Sequence, residues 1–178
     1  MILRIFTLVF SVSIVTFAFD CRAFLMGIVP HTKQTTDFTC GPSCLNSTLL
    51  YWGKVSPGEH ALLAHLGTTY TRPPTPETIA NLARGYGLYT QARAGLTFPD
   101  LVRYVRQGET VIVMWWYDNS GHYTLVTGID KNYIYMMDPW NKQHTSAYPI
   151  NYFLSNWYRV PAFNGVAIRI CGYPSSIY

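Results

Sequence analysis

The residue with the clearest capacity for covalent chemistry is Cys40, which stands at the start of a predicted helix six residues after Gln34. The amino end of a helix carries about half a positive charge and free backbone N–H groups, which favour a thiolate over a thiol. The Gln34 side-chain amide and the Cys40 backbone N–H can both donate to an oxyanion that forms on an attacked carbonyl. The segment therefore predicts a thiol nucleophile, although a cysteine can equally be a small buried apolar residue.

A histidine and an aspartate that could serve this nucleophile follow in the second half of the chain. His122 opens a predicted strand that ends at Ile129, and Asp138 ends a second predicted strand that starts at Tyr133. The turn-forming residues 130–132 between them predict a hairpin. Nucleophilic catalysis by cysteine needs a base within hydrogen-bond reach and a group that orients this base. His122 is therefore the candidate base and Asp138 the candidate orienting acid.

The register of this hairpin decides whether the two side chains can meet. With a three-residue loop, Ile129 pairs with Tyr133, and Asp138 lies opposite Thr124 on the same sheet face as His122. Diagonal neighbours on one face are about 7–8 Å apart at the backbone, within reach of side chains that lean together. A two-residue loop would turn Asp138 to the other face. Taken alone, His122 could also close the preceding turn, and Asp138 could cap a strand end.

Together these residues resemble a known family. Gln34, the segment Cys40-Gly41-Pro42, the His122 strand and Asp138-Pro139 are similar to the papain-like cysteine peptidases that remove double-glycine leaders at the head of bacteriocin-exporting ABC transporters, and to their free-standing relatives. The resemblance covers roughly residues 28–171. It implies that Gln34 is the oxyanion donor, Cys40 the nucleophile, His122 the general base and acid, and Asp138 the residue that orients His122.

The resemblance implies a cysteine peptidase that hydrolyses a peptide or protein substrate, as a monomer and without a cofactor. No membrane bundle or nucleotide-binding domain follows the matched region, which leaves a leader-peptide substrate open. Two other functions are compatible with the same residues. One is an acyl or amide transferase on the same fold, in which an amine receives the acyl group. The other is a peptide-binding module without turnover.

Composition and charge exclude several other classes. A chain of 178 residues suits one domain. The net charge of +4 is spread singly along the sequence, so a nucleic-acid partner is not expected. No metal site is expected either, because His60 and His65 do not share a helix face and the spacing of Cys40 and Cys44 is helical.

The N-terminus predicts export. Arg4 precedes an uninterrupted run of apolar and hydroxyl residues from Ile5 to Phe19, and small residues stand near its end at Ala18 and Ala23. These are the parts of a secretory signal peptide, and the run is short for a bilayer span of about 20 residues. We therefore expect a signal at residues 1–23, a peptidase domain at 24–178, and a secreted or periplasmic location. The alternative is an uncleaved segment that anchors the chain to a membrane.

The elements around the candidate site indicate an α+β fold. Apolar periodicity and capping residues predict helices that start at residues 40, 56, 75 and 97, followed by strands at 111–117, 122–129, 133–137 and 165–170. N-terminal helices packed on a C-terminal antiparallel sheet form the papain-like arrangement that the resemblance also implies. Cys44 and Cys171 are expected as buried thiols or as one disulfide that leaves Cys40 reduced, and the state of Cys21 stays open.

Overall fold

A seven-stranded antiparallel sheet forms the centre of the structure, a computed structural model that describes residues 24–141, 143 and 145–172. The strands are Phe24–Leu25 (β1), Tyr89–Arg93 (β2), Thr110–Tyr117 (β3), Ser120–Ile129 (β4), Tyr133–Met137 (β5), Ser146–Pro149 (β6) and Ala167–Cys171 (β7). Six of them lie in the spatial order β2-β7-β3-β4-β5-β6, and β1 pairs with the end of β4. Residues 1–23, with the predicted signal and Cys21, lie outside the described residues.

Helices cover both faces of this sheet. They are Cys40–Tyr51 (α1), Glu59–Leu66 (α2), Pro76–Gly85 (α3), Phe98–Arg106 (α4) and Ile150–Trp157 (α5), with a short 3-10 helix at Pro161–Phe163. Helices α1, α2 and α3 share one apolar cluster with Leu125, whereas α4 and α5 share a second cluster with Val126. Adjacent residues of a strand point to opposite faces, so β4 is buried on both sides. This burial explains the nearly continuous apolar runs of the central strands.

The capping residues predicted most of the helix boundaries. Thr75 and Thr97 are the N-caps of α3 and α4, and each side chain accepts a bond from a first-turn N–H. Helix α2 begins at Glu59, later than the predicted start at Ser56. The Ser56 hydroxyl instead donates to Asn46 (2.5 Å) and accepts the N–H of Gly58 (3.3 Å), so it stabilises the turn before the helix.

The hairpin of β4 and β5 has a longer loop than predicted. Ile129 pairs with Ile134 rather than with Tyr133, so the predicted pairing at the loop was wrong. A bulge between Val126 and Gly128 absorbs the extra residue, and beyond it Leu125 pairs with Met137. Continuing this register sets Asp138 opposite Thr124, as the three-residue loop would have done. The longer loop and the bulge therefore compensate for each other, and the register around His122 and Asp138 is the one predicted.

The α+β class and the papain-like arrangement predicted from the sequence are confirmed, with four further elements. Strands β1, β2 and β6 and helix α5 were not predicted, and α5 packs on the second sheet face.

Cys40, Cys44 and Cys171 are buried thiols. Of the two predicted alternatives for Cys44 and Cys171, the structure therefore has the separate thiols and not the disulfide. Among the described residues, no helix combines the length and the apolar composition that crossing a bilayer requires.

Candidate active site

Cys40 is the first residue of α1, and close packing brings this helix end against β4. A Cβ atom added to Gly41 would lie 2.9 Å from Pro74 Cγ, 3.1 Å from Ile79 Cδ1 and 3.4 Å from Tyr123 Cδ2. A larger residue at position 41 would push the helix start away from Tyr123, the strand neighbour of His122. The glycine after the cysteine therefore allows the candidate nucleophile to approach the candidate base.

His122 lies between the candidate nucleophile and the candidate acid. Its Nε2 is 2.8 Å from Asp138 Oδ1, and both side chains are buried. Because Nε2 is committed to Asp138, Nδ1 is the nitrogen available to Cys40, whose side chain is close enough to help raise the pKa of His122. The geometry therefore brings together three of the residues selected from the sequence, in the order thiol, imidazole and carboxylate.

The ionisation of His122 depends on these two neighbours. Burial lowers the pKa of His122, but the hydrogen bonds and charges of Asp138 and Cys40 outweigh burial and raise it to about 9. Burial likewise raises the pKa of Asp138, yet hydrogen bonds, mainly from His122, and the His122 charge hold this pKa below its usual value. A protonated His122 beside an ionised Asp138 is therefore favoured near neutral pH.

The Asp138 carboxylate accepts four hydrogen bonds. Oδ1 accepts from His122 and from the backbone N–H of Trp140 (3.0 Å), while Oδ2 accepts from Asn141 Nδ2 (3.1 Å) and from the Tyr148 hydroxyl (2.5 Å). Asp138 has no solvent exposure, so these donors replace water around a buried charge. Sequence reasoning identified Asp138 but not Tyr148, which belongs to the unpredicted strand β6.

Gln34, the fourth candidate, lies in the segment that leads to α1. Its backbone N–H donates to the Pro139 carbonyl (2.9 Å), which joins this segment to the residue after Asp138. The Gln34 side-chain Nε2 donates to the Thr36 carbonyl (2.7 Å), so one of its two N–H groups is committed to this bond. The side chain is buried, and its Oε1 has no hydrogen-bond partner. A cavity of about 220 Å³ lies beside it, bordered by residues 33–37 and Trp140.

A buried glutamate holds the Gln34 segment against the helices. Glu59 Oε1 accepts the backbone N–H of Thr35 (3.0 Å) and lies 3.1 Å from the Ser43 hydroxyl. Glu59 is in the first turn of α2 and Ser43 is in the first turn of α1, so one carboxylate joins three segments around the candidate site. Sequence reasoning missed this role, because an isolated glutamate near a helix start is usually an exposed first-turn acid.

The other candidate sites considered from the sequence lie apart from this arrangement. The Cys44 thiol donates to the Tyr123 carbonyl (3.4 Å), and complete burial, followed by the charge of Cys40, raises its pKa well above the usual value. It is therefore a packed core thiol. His60 and His65 are exposed on α2. Within the described residues, no group of three or more His, Cys, Asp or Glu side chains is arranged to hold a metal ion.

The fold is similar to solved peptidase structures at low sequence identity. A protein described as a C39-like peptidase from Bacillus anthracis superposes with a TM-score of 0.71 at 16% identity, over 86% of this chain and 100% of that chain. The peptidase domain of Streptococcus ComA, a bifunctional ABC transporter, has a TM-score of 0.65 at 20% identity, over 80% and 97% of the two chains.

A third solved relative carries a ligand. It is a double glycine motif protease from an AMS/PCAT transporter in complex with the leader peptide, with a TM-score of 0.61 at 22% identity over 80% of this chain and 90% of that one. In sequence, the model of the Peptidase_C39 like family matches residues 27–162, which is more than half of the chain. No curated protein matches the sequence.

Proposed function

We propose that this chain, which belongs to the Peptidase_C39 like family, is an exported cysteine peptidase in which Cys40, His122 and Asp138 form a catalytic triad. The proposal rests mainly on the position of His122 between a thiol and a buried carboxylate. An imidazole in this position can take the proton of the thiol and keep it, because Asp138 stabilises the resulting cation. A structural histidine would need only one of these partners.

The nucleophilic step begins with the ion pair. The Cys40 sulfur, as thiolate, attacks the carbonyl carbon of a peptide bond and forms a C–S bond while the carbonyl oxygen becomes an oxyanion. His122 then gives its proton to the amide nitrogen, the C–N bond breaks, and the amine leaves. A thioester remains on Cys40. Water loses a proton to His122 and attacks this thioester, the C–S bond breaks, and the acid product leaves, which restores the Cys40 thiolate beside protonated His122.

The oxyanion would form beside two donors. Gln34 Nε2 has a second N–H besides the one bound to Thr36. The backbone N–H of Cys40, the first residue of α1, is the proposed second donor. Pro42 contributes no N–H to this turn. Preorganised donors of this kind typically accelerate acyl transfer by about 10²–10³-fold each.

We propose a peptide as the substrate. The solved protease with a bound leader peptide shares the fold of this chain, which supports a peptide ligand for the same fold here. The exposed aromatic ring of Trp140 and the segment 33–37 border the cavity beside Gln34, so a peptide chain could lie next to the proposed oxyanion donors.

The decisive test is turnover of a peptide library by the mature domain and by Cys40→Ala. We expect hydrolysis by the wild type, none by Cys40→Ala, and wild-type rates for the matched control Cys171→Ala, which removes a buried thiol on β7. Gln34→Ala should lose about 10²–10³-fold in rate. Cleavage by Cys40→Ala would contradict the proposal. Binding without cleavage by the wild type would favour the peptide-binding module, and products joined to an added amine would favour the transferase.

Thiol labelling separates the roles of the two central residues. Iodoacetamide should modify Cys40 below pH 7 much faster than Cys44, because imidazolium and the helix start favour the Cys40 thiolate. His122→Ala should slow this labelling, whereas Gln34→Ala should leave it nearly unchanged. Equal labelling rates for Cys40 and Cys44 in the native protein would exclude the ion pair.

The export proposed here rests on the sequence of residues 1–23 alone. A short apolar core after a single arginine is typical of a cleaved targeting segment. Mass spectrometry of the exported protein should therefore find a chain that lacks about the first 18–23 residues. Recovery of intact Met1 from purified membranes would support the anchored alternative.

A further inference from the structure

The oxygen of Asp138 that points away from His122 has its own pair of donors. Tyr148 donates its hydroxyl to Oδ2 at 2.5 Å, and Asn141 donates its side-chain amide at 3.1 Å. The same amide nitrogen lies 3.2 Å from the Tyr148 hydroxyl and 2.9 Å from Ser146 Oγ. The carboxylate is therefore held through both oxygens, and rotation about its Cβ–Cγ bond would break bonds on both sides.

Tyr148 is itself held in place by neighbouring rings. Its ring centroid lies 5.1 Å from that of Trp115, 5.8 Å from that of Tyr117 and 6.4 Å from that of Tyr152. Trp115 is fully buried, and the edge-to-face pairs with Trp115 and Tyr117 and the stacked pair with Tyr152 are favourable at these distances. The Tyr148 hydroxyl is thus fixed before any substrate arrives. We call Trp115, Tyr117, Tyr148 and Tyr152 the aromatic cluster.

The aromatic cluster contacts both members of the His122–Asp138 pair. The Tyr117 ring stacks on the His122 imidazole with centroids 5.5 Å apart and an interplanar angle of 29°. Tyr148 bonds the carboxylate that this imidazole donates to. One rigid group of side chains therefore limits the rotation of the base and of its acid partner together.

We propose that Tyr148 is a positioning residue of the active site, which fixes the Asp138 carboxylate through Oδ2 and thereby aims His122 at Cys40. The inference rests on the proposed peptidase function for its effect on rate. Its physical basis is that Tyr148 makes the shorter of the two bonds to Oδ2, so without its hydroxyl only the Asn141 amide at 3.1 Å holds this oxygen, and Oδ1 is less firmly directed at the imidazole. Charge-assisted bonds of this length are among the stronger hydrogen bonds in proteins.

Other titratable groups around the pair must be counted in any test that varies pH. Cys40 faces His122 from α1, His31 Nε2 donates to the Asp138 carbonyl (3.2 Å), and Tyr117 and Tyr148 face the pair from β3 and β6. Burial and the bond to Asp138 raise the pKa of Tyr148, so its hydroxyl keeps its proton at every working pH. Tyr148 therefore acts as a constant donor.

The chain offers a matched control for the removal of one hydroxyl. Tyr135 on β5 donates its hydroxyl to Asp130 Oδ2 at 2.8 Å, a bond of the same kind at the opposite end of the strand from Asp138. Tyr148→Phe and Tyr135→Phe each remove one tyrosine-to-carboxylate bond, but only the first touches the triad. Comparing them separates an effect on the site from the loss of a hydrogen bond in general.

Two measurements on these variants test the proposal. We expect Tyr148→Phe to lower kcat about tenfold with little change in KM, because a lost bond to a charged group is worth roughly that factor or more. In NMR titrations with labelled histidine, the His122 midpoint should fall in Tyr148→Phe, since a less firmly held carboxylate supports imidazolium less well. Tyr135→Phe should change neither quantity.

The NMR titration of His122 tests the role of Tyr148 even if the protein cleaves no peptide. If the wild type cleaves no peptide, the peptidase proposal fails, and the His122 midpoint still decides the role of Tyr148. A midpoint in Tyr148→Phe that is unchanged would show that Tyr148 does not position the pair. A midpoint that rises would show that Tyr148 only competes with His122 for the carboxylate, and would overturn the proposal equally. A fall in Tyr148→Phe without a fall in Tyr135→Phe would support it.

Discussion

Two aspartates flank strand β5, and they differ in burial more than in hydrogen bonding. Asp130, before the strand, accepts the backbone N–H groups of Asn132 and Tyr133 at 2.7 Å each and the hydroxyl of Tyr135. Asp138, after the strand, also accepts a tyrosine hydroxyl and a backbone N–H. Hydrogen bonds lower the pKa of both carboxyl groups.

Their surroundings give the two carboxylates different roles. Asp130 is only half-buried, so solvent reaches its carboxylate, and its bonds mainly close the β4–β5 loop. Asp138 is excluded from water, and its negative charge is balanced by His122. A buried anion stabilises a neighbouring cation far more than an exposed one does, because little solvent screens it. Burial therefore distinguishes a carboxylate that can support catalysis from one that only shapes a turn.

The largest effect is expected for Asp138→Ala. This change removes the acceptor of the Trp140 N–H and of the Tyr148 hydroxyl, one of the acceptors of the Asn141 amide, and the anion beside His122. We expect at least a 10³-fold loss of turnover, by analogy with a triad that has lost its acid, and about 3 kcal/mol or more of stability. Peptide hydrolysis and urea unfolding measure the two losses. Wild-type turnover in this variant would remove Asp138 from the mechanism.

A smaller effect is expected for Asp138→Asn, which keeps the shape of the side chain. The amide can still hydrogen-bond His122, but it can select the wrong ring tautomer and cannot stabilise imidazolium. Cysteine peptidases depend less on the third residue than serine enzymes, in which the same change costs about 10⁴-fold. A partial loss of kcat in a folded protein is therefore expected. Unchanged kcat would indicate that Asn141 or a water molecule orients the histidine.

Only the buried aspartate should make stability sensitive to alkaline pH. The pKa of His122 is raised from 6.5 to about 9 in the folded protein, so its contribution is fully present below pH 6.5 and is lost as pH rises through about 9. The loss over this window should be on the order of 3 kcal/mol. Urea unfolding from pH 6 to 10 should show it in the wild type and much less in Asp138→Asn. Equal slopes would show that the two residues are not coupled.

The smallest effect is expected for Asp130→Asn. The amide oxygen can still accept the loop N–H groups, and solvent replaces what the charge contributed. Turnover and the His122 titration should match the wild type, with only a slight decrease in the unfolding midpoint. A fall in turnover comparable to that of Asp138→Asn would show that the loop, rather than the buried carboxylate, controls the site.

Local signals explain which parts of the site the sequence predicted. The Cys40-Gly41-Pro42 start of α1 and the His122 strand were predictable, because the apolar periodicity of a helix or strand and the turn residues beside it are visible in the local sequence. Thr75 and Thr97 were predicted as caps for the same reason. The roles of Cys40, His122, Asp138 and Gln34 in catalysis stay predictions until the variants are measured.

Features that depend on distant contacts were not predicted. The bulge in β4 has no local signature, because it compensates for the length of a loop several residues away. Strand β6 has four residues and ends at Pro149, which is weak evidence for a strand in any sequence. Tyr148 was therefore missed, although its hydroxyl lies as close to Asp138 as any donor in the site.

The position of β7 in the sheet has a consequence for the order in which the protein can fold during synthesis. β7 follows every other strand in the described part of the chain, yet it lies between β2 and β3. Its Ile168 and Ile170 belong to the apolar cluster that holds α1. The ribosome must therefore release residue 171 before the helix that carries Cys40 has its complete packing surface. Pairings over such long sequence separations form late. A nascent chain that already contains all four proposed catalytic residues would still lack their final geometry, which would keep a thiol nucleophile inactive until the fold closes.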